Sequence, residues 1–251
     1  MKMFNNCLII TGASGMLGQA LVKHFSKNKH FNVVSVDIAH SNSNENELYF
    51  QVDVSSERDV EIMFTKIDPL ITKDSKLSLI NCAGISVFED FEKRTKDSFM
   101  RVIEVNLFGT FNMLKQTVEI IKSNNITGSI VNTGSIFAKR SPDERNYIDL
   151  NRKNSEVYGA SKAGVEQMTR YFSAHLAKHN IRVNCVSPGG ILNEEKPQGE
   201  KFQKLYNYKV PMGRMATYSE VLGAYDYFLD DEKSRYVTGQ TLVIDGGYTA
   251  W

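Results

Sequence analysis

A tyrosine and a lysine four residues apart, Tyr158 and Lys162, are the pair in this sequence best suited to acid–base chemistry. Residues at this spacing share one face of a helix, so their side chains can lie side by side. Tyrosine is a weak acid, and a neighbouring ammonium group favours its phenolate form, which can accept a proton. The alternative is an ordinary amphipathic helix, on which such pairs are common.

A hydroxyl group follows a predicted strand upstream of this pair, where Val131-Asn132-Thr133-Gly134-Ser135 ends in a serine. A serine hydroxyl in this place can donate a hydrogen bond to a substrate carbonyl. Ser135 is therefore a candidate binding group for a carbonyl oxygen.

A glycine-rich segment, Thr11-Gly12-Ala13-Ser14-Gly15-Met16-Leu17-Gly18, links the first predicted strand to a helix. Glycines here allow a tight turn and a close backbone approach to a pyrophosphate, and the helix N-terminus offers N–H donors to phosphate groups. Glycines that only shape the turn between strand and helix are the alternative. The segment predicts a dinucleotide-binding loop.

A carboxylate, Asp37, ends the second predicted strand. In this position a carboxylate can accept hydrogen bonds from the ribose hydroxyls of NAD, and it would repel the 2′-phosphate of NADP. No basic residue stands at Ala13, Ser14 or Ile38 to bind that phosphate, so the sequence favours NAD over NADP. Asp53, after the third predicted strand, is either a contact for the adenine amino group or a loop acid that precedes a helix.

The elements that must position these residues alternate between short β-branched runs and longer helical patterns, which indicates a parallel sheet covered by helices. Several runs are apolar almost throughout, as expected for strands buried on both faces. The predicted helices lie near 16–29, 56–73, 96–124, 156–179 and 218–231. The seven predicted strands are Cys7–Thr11, Asn32–Asp37, Leu48–Asp53, Leu77–Cys82, Ser129–Gly134, Arg182–Ser187 and Thr241–Ile244.

The composition predicts one large domain over 1–251: 41% of the residues are hydrophobic, enough for a core that needs no disulfide or metal. A net charge of +1 excludes a broad basic face for nucleic acid, and no apolar run approaches the roughly 20 residues that cross a membrane. Three distant cysteines and no signal peptide favour a cytoplasmic protein with free thiols. No metal site is predicted, because His175 and His179 share a helix face without a third ligand.

Together these segments resemble the short-chain dehydrogenase/reductase family, typical short type, and the resemblance extends over essentially the whole chain. It implies a Rossmann-type α/β fold, a doubly wound parallel sheet with helices on both faces, and a nicotinamide cofactor. It also implies hydride transfer to or from a carbonyl or alcohol. Further segments that carry the resemblance are Asn81-Cys82-Ala83-Gly84, Val105-Asn106-Leu107-Phe108-Gly109, Arg182-Val183-Asn184-Cys185-Val186-Ser187-Pro188-Gly189 and a C-terminal segment around Asp245-Gly246-Gly247.

The resemblance implies a role for each matching residue. Tyr158 is expected to be the general acid/base and Ser135 to polarise the carbonyl. Lys162 would stabilise the phenolate form of Tyr158 and would bind the nicotinamide ribose. Asn106 would hold a relay water beside Lys162. The expected cofactor contacts are Gly12, Ser14, Gly15, Met16, Leu17, Gly18, Asp37, Asp53, Val54, Asn81, Ala83, Gly84, Tyr158, Lys162, Pro188, Gly189 and Ile191.

The chain departs from the family pattern in two places. The middle glycine of the loop is Gly15, where the family usually has glycine at the position of Met16, but both spacings leave free N–H groups at the helix start. The separation of Ser135 and Tyr158 is also unusually wide, which indicates an insertion at about 139–155. This insertion is either a solvated loop or brings Arg140, Arg145 or Arg152 to a phosphate or carboxylate of the substrate.

The insertion, followed by Pro188-Gly189-Gly190-Ile191 and by Val210-Pro211-Met212-Gly213-Arg214-Met215, resembles bacterial members that take part in flagellin modification and surface-sugar biosynthesis. We therefore hypothesise a sugar, sugar phosphate or nucleotide sugar as substrate, with the irregular segment at about 192–217 as a lid whose apolar contacts are Phe202, Tyr206 and Tyr208. The alternatives are a 3-oxoacyl-(acyl-carrier-protein) reductase and a non-catalytic NAD-binding sensor or subunit. The resemblance also implies a homotetramer or homodimer that associates through helices 96–124 and 156–179.

Overall fold

Seven parallel strands form one sheet in the computed structural model, which describes residues 3–28, 30–39, 48–148, 154–193 and 197–251. The strands are β1 (Phe4–Thr11), β2 (Asn32–Asp37), β3 (Leu48–Gln51), β4 (Ile71–Asn81), β5 (Thr127–Thr133), β6 (Ile181–Pro188) and β7 (Thr241–Ile244). Their order across the sheet is β3-β2-β1-β4-β5-β6-β7, and every neighbouring pair is parallel. The predicted Rossmann-type doubly wound sheet of seven strands is confirmed.

Helices cover both faces of this sheet. Those of the described residues are α1 (Met16–Lys27), α2 (Glu57–Ile67), α3 (Lys96–Ile103), α4 (Gly109–Ser123), α5 (Glu156–Leu176), α6 (Glu200–Tyr208), α7 (Tyr218–Leu229) and α8 (Asp231–Ser234). Buried side chains of α1 and α7 pack on one face, and those of α2 and α4 pack on the other. These helices therefore cross one face or the other of the sheet between parallel strands, as in a doubly wound fold.

The apolar strands supply side chains to two cores at once. Ile9 and Ile130 point into the core beneath α2 and α4, while their neighbours Leu8 and Val131 point into the core beneath α1 and α7. Successive residues of a strand face opposite sides of a sheet, so a central strand of this fold has no solvated face. Burial of each such side chain contributes about 1.5–3 kcal/mol to stability.

The strand order places a crevice at one edge of the sheet. Connections leave β1 towards β2 on one side and β4 towards β5 on the other, so the chain diverges at the carboxyl ends of β1 and β4. Ligands of open α/β sheets bind at such a point. Four strands end at this edge, and their last residues are Thr11, Asp37, Thr133 and Pro188.

Several predicted boundaries are wrong for identifiable reasons. The helix predicted over 56–73 ends at Ile67, because Pro69 lies in a 3₁₀ turn and cannot donate a backbone hydrogen bond. Strand β4 starts at Ile71, six residues before its prediction, and β3 ends at Gln51, before Asp53. A π-helical turn over Glu104–Phe108 divides the helix predicted over 96–124.

The segment predicted as irregular over 192–217 contains helix α6. Phe202 and Tyr206 are four residues apart on α6 and share its buried face, whereas its other residues are mostly polar. A helix of this kind gains its stability from tertiary packing more than from its own sequence. Residues 40–47, 149–153 and 194–196 lie outside the described residues, and with them part of the predicted insertion.

The three cysteines are free, as predicted. Burial raises the pKa of Cys7 to about 12 and that of Cys82 and Cys185 to about 11, so all three remain thiols at neutral pH. In the described ranges no group of three or more His, Cys, Asp or Glu side chains could hold a metal ion. None of the helices in these ranges is both long enough and apolar enough to cross a membrane.

Two helical glycines provide a matched test of this packing. A Cβ at Gly159 in α5 would lie 2.8 Å from the carbonyl oxygen of Phe137, whereas a Cβ at the exposed Gly223 in α7 would meet nothing within 4 Å. We expect Gly159→Ala to lower the free energy of unfolding by about 1–3 kcal/mol. Gly223→Ala should raise it by about 0.5–1 kcal/mol. Urea denaturation measures both changes, and shifts of the same sign would contradict the close contact at Gly159.

Candidate active site

A cavity of about 690 Å³ opens at the carboxyl ends of the strands. The glycine loop, the strand ends, the insertion and α6 all contribute to its wall. The predicted site residues that line it are Gly12, Ser14, Gly15, Met16, Leu17, Gly18, Asp37, Asp53, Val54, Ala83, Gly84, Ser135, Tyr158, Lys162, Pro188, Gly189 and Ile191. Asn81 and Asn106 are not among the lining residues.

The glycine loop has the shape needed to hold a phosphate group. Gly12 has a φ of +68°, which favours glycine, and a Cβ at Gly18 would lie only 1.9 Å from the carbonyl oxygen of Gly12. Helix α1 begins after Gly15, and no side chain caps its first N–H groups. These donors and the helix dipole therefore face the cavity, as a pyrophosphate requires.

Asp37 stands at the rim of this loop. Its two carboxylate oxygens accept hydrogen bonds from the backbone N–H groups of Ser14 and Ala39, each at 2.9 Å. The bond to Ser14 joins the end of β2 to the glycine loop. The carboxylate is thus held in the cavity wall, with lone pairs left for hydroxyl donors.

Asp53 has the contacts of a loop acid and also lines the cavity. Its Oδ1 accepts hydrogen bonds from the backbone and hydroxyl of Ser55, and its Oδ2 lies 3.0 Å from Nη2 of Arg101. Burial opposes ionisation of this carboxyl, but the hydrogen bonds from Ser55 and Arg101 outweigh it and lower the pKa of Asp53. Nothing in the sequence pointed to Arg101, which lies 48 residues away.

Lys162 is the most buried charged group of the site, with 4% of its surface exposed. Its Nζ donates a hydrogen bond of 2.7 Å to the carbonyl oxygen of Thr133 at the end of β5. The same Nζ lies 5.8 Å from the centre of the Tyr158 ring, one helical turn away. A Cβ at Gly84 would approach this Nζ to 3.5 Å, so glycine leaves room beside the ammonium.

Asn106 supports this arrangement from the π-helical turn. Its Oδ1 accepts from the backbone N–H of Ile85 at 2.8 Å, and its Nδ2 donates to the carbonyl oxygen of Ile85 and to the hydroxyl of Ser161. The buried amide therefore links the end of β4 to helix α5 beside Lys162. The role of Asn106 in holding a relay water stays a prediction.

Ser135 lies between β5 and a short 3₁₀ turn, Ile136–Ala138. Its Oγ accepts a hydrogen bond of 3.1 Å from the backbone N–H of Phe137, which fixes the hydroxyl in the cavity wall. A hydroxyl that accepts one hydrogen bond can still donate its own proton. Ser135 is thus able to donate to a substrate oxygen, as the sequence predicted.

The described part of the insertion packs against α6. The ring of Tyr147 lies 5.2 Å from that of Phe202, and Nζ of Lys209, just beyond α6, contacts Asp143 and Oδ1 of Asn146. Hydrogen bonds from Arg145 and Lys209 hold the pKa of Asp143 below its usual range. The two segments form one wall of the cavity.

Neither Arg140 nor Arg145 belongs to the described wall of the cavity, and Arg145 forms two hydrogen bonds of 2.8–2.9 Å with the carboxylate of Asp143 at the surface. This placement favours the solvated-loop alternative for these two residues. Arg152 lies outside the described residues, so contact of the insertion with a substrate stays a prediction. Tyr208 is wrong as a lid contact, because it is 86% exposed, whereas Phe202 and Tyr206 do line the cavity.

Asn81 is a further correction. It is buried between strands, where its Nδ2 donates to Oδ1 of Asn132 at 2.9 Å and approaches the carbonyl oxygen of Thr110. Because alternate residues of a strand face opposite sides, the last residue of β4 points into the core rather than towards the cavity. The wall residues that we did not predict from the sequence include Phe88, Thr133, Phe137, Tyr147, Asn154, Gln198 and Met215.

Comparison with known proteins identifies relatives of this arrangement. A family model described as enoyl-(acyl carrier protein) reductase matches residues 17–249. Glucose 1-dehydrogenase 2 of Bacillus subtilis is 28% identical over 97% of this chain and 94% of its own length. The 3-oxoacyl-(acyl-carrier-protein) reductase of Thermotoga maritima is 32% identical over 98% of this chain and 99% of its own length.

Two further matches carry the family name. An uncharacterised short-chain type dehydrogenase/reductase of Sinorhizobium fredii is 31% identical over 96% of this chain, which spans only 43% of that longer relative. A crystal structure of a short-chain dehydrogenase of Leptospira borgpetersenii with bound NAD⁺ superposes with a TM-score of 0.88, at 35% identity over 99% of this chain and 94% of the other. With its doubly wound sheet, its glycine loop and its paired Tyr158 and Lys162, the chain belongs to the short-chain dehydrogenase/reductase family.

Proposed function

We propose that this chain is an NAD-dependent oxidoreductase that interconverts a secondary alcohol and a ketone on a sugar or related polyhydroxylated compound. The observation that carries the proposal is the meeting of Ser135, Tyr158 and Lys162 in the wall of one cavity that also contains the glycine loop. Membership in the family supports the reaction class, and the relative named a glucose dehydrogenase supports the substrate class.

The residues present fit a bound nicotinamide dinucleotide, which would supply the hydride acceptor or donor. The N–H groups at the start of α1 would bind the pyrophosphate, because Gly12 and Gly18 leave the backbone accessible. Asp37 would accept hydrogen bonds from the adenosine ribose and disfavour a 2′-phosphate. Lys162 would bind the nicotinamide ribose, and the backbone of Ile191 would bind the carboxamide. The Leptospira neighbour with bound NAD⁺ supports this choice of cofactor.

Three side chains would manage the proton of the reacting alcohol. Ser135 would donate a hydrogen bond to its oxygen, and Tyr158 would accept its proton as the carbon loses hydride. The ammonium of Lys162, with its Nζ 5.8 Å from the centre of the Tyr158 ring, would attract negative charge on the phenol oxygen during the proton transfer. The hydrogen bond of Lys162 to the Thr133 carbonyl holds that ammonium in position. In the reverse direction Tyr158 would return the proton to the carbonyl oxygen.

The part of the cavity near the insertion suits an uncharged polar substrate. Its wall contains the aromatic rings of Phe88, Phe137 and Tyr147, together with the neutral amides of Asn154 and Gln198. The charged residues of the described wall are Asp37, Asp53, Arg101 and Lys162. Asp37, Asp53 and Arg101 belong to the part of the wall that is expected to hold the adenosine of the cofactor. The amides of Asn154 and Gln198 can bind the hydroxyl groups of a sugar.

Two alternatives make different predictions. A 3-oxoacyl-(acyl-carrier-protein) reductase is supported by the Thermotoga relative, but such enzymes usually take NADPH, which Asp37 disfavours. A non-catalytic NAD-binding protein would bind cofactor without turnover, and the retained Ser135, Tyr158 and Lys162 argue against it.

Association into a homodimer or homotetramer stays a prediction. Sedimentation of the purified protein measures the oligomeric state. Exposed Tyr171 and Phe99 on the helices predicted to associate support this association.

Loss of the Tyr158 hydroxyl tests the catalytic assignment. We expect Tyr158→Phe to lower kcat by about a hundred- to ten-thousandfold, because no other group accepts the alcohol proton, while NADH binding persists. NADH formation measures the rate, and NADH fluorescence measures binding. Tyr236→Phe, whose side chain is fully exposed, is the matched control and should leave the rate unchanged. Unchanged turnover in Tyr158→Phe would refute the assignment.

Exchange of the rim carboxylate tests the cofactor preference. We expect Asp37→Ser to reduce kcat/KM for NAD⁺ roughly ten- to a hundredfold, because a charged acceptor for the ribose hydroxyls is lost. The value for NADP⁺ should rise, since the repulsion of its phosphate is removed. Loosening of the glycine loop would lower the kcat/KM values for NAD⁺ and NADP⁺ alike. The ratio of these two values therefore reports the effect of the carboxylate on cofactor preference alone. An unchanged ratio would contradict the role of Asp37.

A substrate panel tests the proposed substrate class. NAD⁺ reduction is measured with hexoses, pentitols, sugar phosphates and nucleotide sugars, and NADH oxidation with a 3-oxoacyl thioester. We expect activity with the hexoses or pentitols, because neutral amides and aromatic rings form this part of the wall. Activity confined to the acyl thioester would contradict the proposal.

A further inference from the structure

Tyr206 is held rigidly in the wall of the cavity by two other rings. It lies on α6 and is 4% exposed. Its ring stacks on Phe202 at a centroid distance of 5.7 Å and on Tyr248 at 4.9 Å. These two stacked contacts and the burial of the side chain hold the Tyr206 ring in place, so its hydroxyl is the group that can bind a polar partner.

The hydroxyl of Tyr206 acts as an acceptor towards the protein. The backbone N–H of Gly190 donates a hydrogen bond of 2.6 Å to it. A Cβ at Gly190 would lie 2.7 Å from the ring carbon that bears the hydroxyl, so only glycine permits this approach. Gly190 follows β6, between Gly189 and Ile191, and all three line the cavity. The Tyr206 oxygen is therefore anchored to the segment expected to hold the nicotinamide.

The proton of this hydroxyl has no acceptor in the part of the chain that the structure describes. A tyrosine hydroxyl has one proton to donate, and its hydrogen bond to Gly190 uses only a lone pair. Burial raises the pKa of Tyr206, so this proton is retained at neutral pH. A buried donor without a partner costs free energy, and a substrate oxygen in the cavity would remove that cost.

The reacting oxygen of the substrate is not available to this donor. A carbonyl oxygen has two lone pairs, and under the proposed function Ser135 and Tyr158 use both of them. A third hydroxyl in the same cavity must therefore bind a different oxygen. Because Tyr206 is anchored beside the nicotinamide segment, that oxygen belongs close to the carbon that exchanges hydride.

We propose that Tyr206 determines specificity by donating a hydrogen bond to a second substrate oxygen, on the carbon next to the reacting one. The preferred substrates are then vicinal diols in oxidation and α-hydroxy ketones in reduction. This inference rests on the proposed function and adds to it the side chain that would recognise the oxygen next to the reacting carbon.

The test compares two alcohols that differ by a single hydroxyl, 2,3-butanediol and 2-butanol, in the wild type and in Tyr206→Phe. The wild type should prefer the diol. In Tyr206→Phe we expect kcat/KM for the diol to fall about five- to tenfold, whereas the value for 2-butanol should change less than about twofold. Tyr208→Phe, on the same helix with its side chain exposed, is the matched control and should behave as the wild type.

A merely structural role of Tyr206 gives a different result. Loss of the hydrogen bond to Gly190 would disturb the cavity for both alcohols alike and would weaken NADH binding, measured by fluorescence. Equal losses for the two alcohols, or a wild type without preference for the diol, would overturn the proposal. A wild type that binds NADH and oxidises neither alcohol nor any compound of the substrate panel would instead contradict the proposed function, and this inference with it.

Discussion

A buried ammonium group is costly unless hydrogen-bond acceptors surround it, and Lys162 meets this need through the carbonyl oxygen of Thr133. That single bond joins α5 to the end of β5 and places Tyr158, one turn earlier, over the cavity. It requires β5 to end at Thr133. Asn106 then links the segment after β4 to the same helix. Tyr158 and Lys162 are thus positioned by the sheet and not by their own helix alone.

The wall of the cavity formed by the insertion and α6 depends on contacts between segments that are distant in sequence. The insertion and α6 are joined by the contact between the rings of Tyr147 and Phe202 and by Lys209, which contacts Asp143. These contacts place neutral and aromatic groups around the cavity and keep Arg145 at the surface. The same wall brings Tyr206 to Gly190. This wall therefore depends on contacts between distant segments, whereas Tyr158 and Lys162 are held by the sheet.

Local spacing was enough to predict most of the fold. Alternation of apolar strands with amphipathic helices predicted seven strands and their class, and two strands, Asn32–Asp37 and Thr241–Ile244, have the predicted bounds. Errors arose where a tertiary contact overrides a local pattern. Helix α6 forms because Phe202 and Tyr206 are buried by other segments, which its short and mostly polar sequence does not reveal.

Residue types and their spacing along the chain were sufficient to predict the fold class, the glycine loop, the proximity of Tyr158 to Lys162 and the position of Asp37 at the end of β2. Which polar groups reach the cavity depends instead on tertiary packing. It directed Asn81 into the core and Arg145 towards Asp143, and it brought Tyr206 into the wall. The partners of Asn81 and Tyr206 come from elements that are distant in sequence. The pattern of residues around these side chains therefore does not reveal which partner each of them meets.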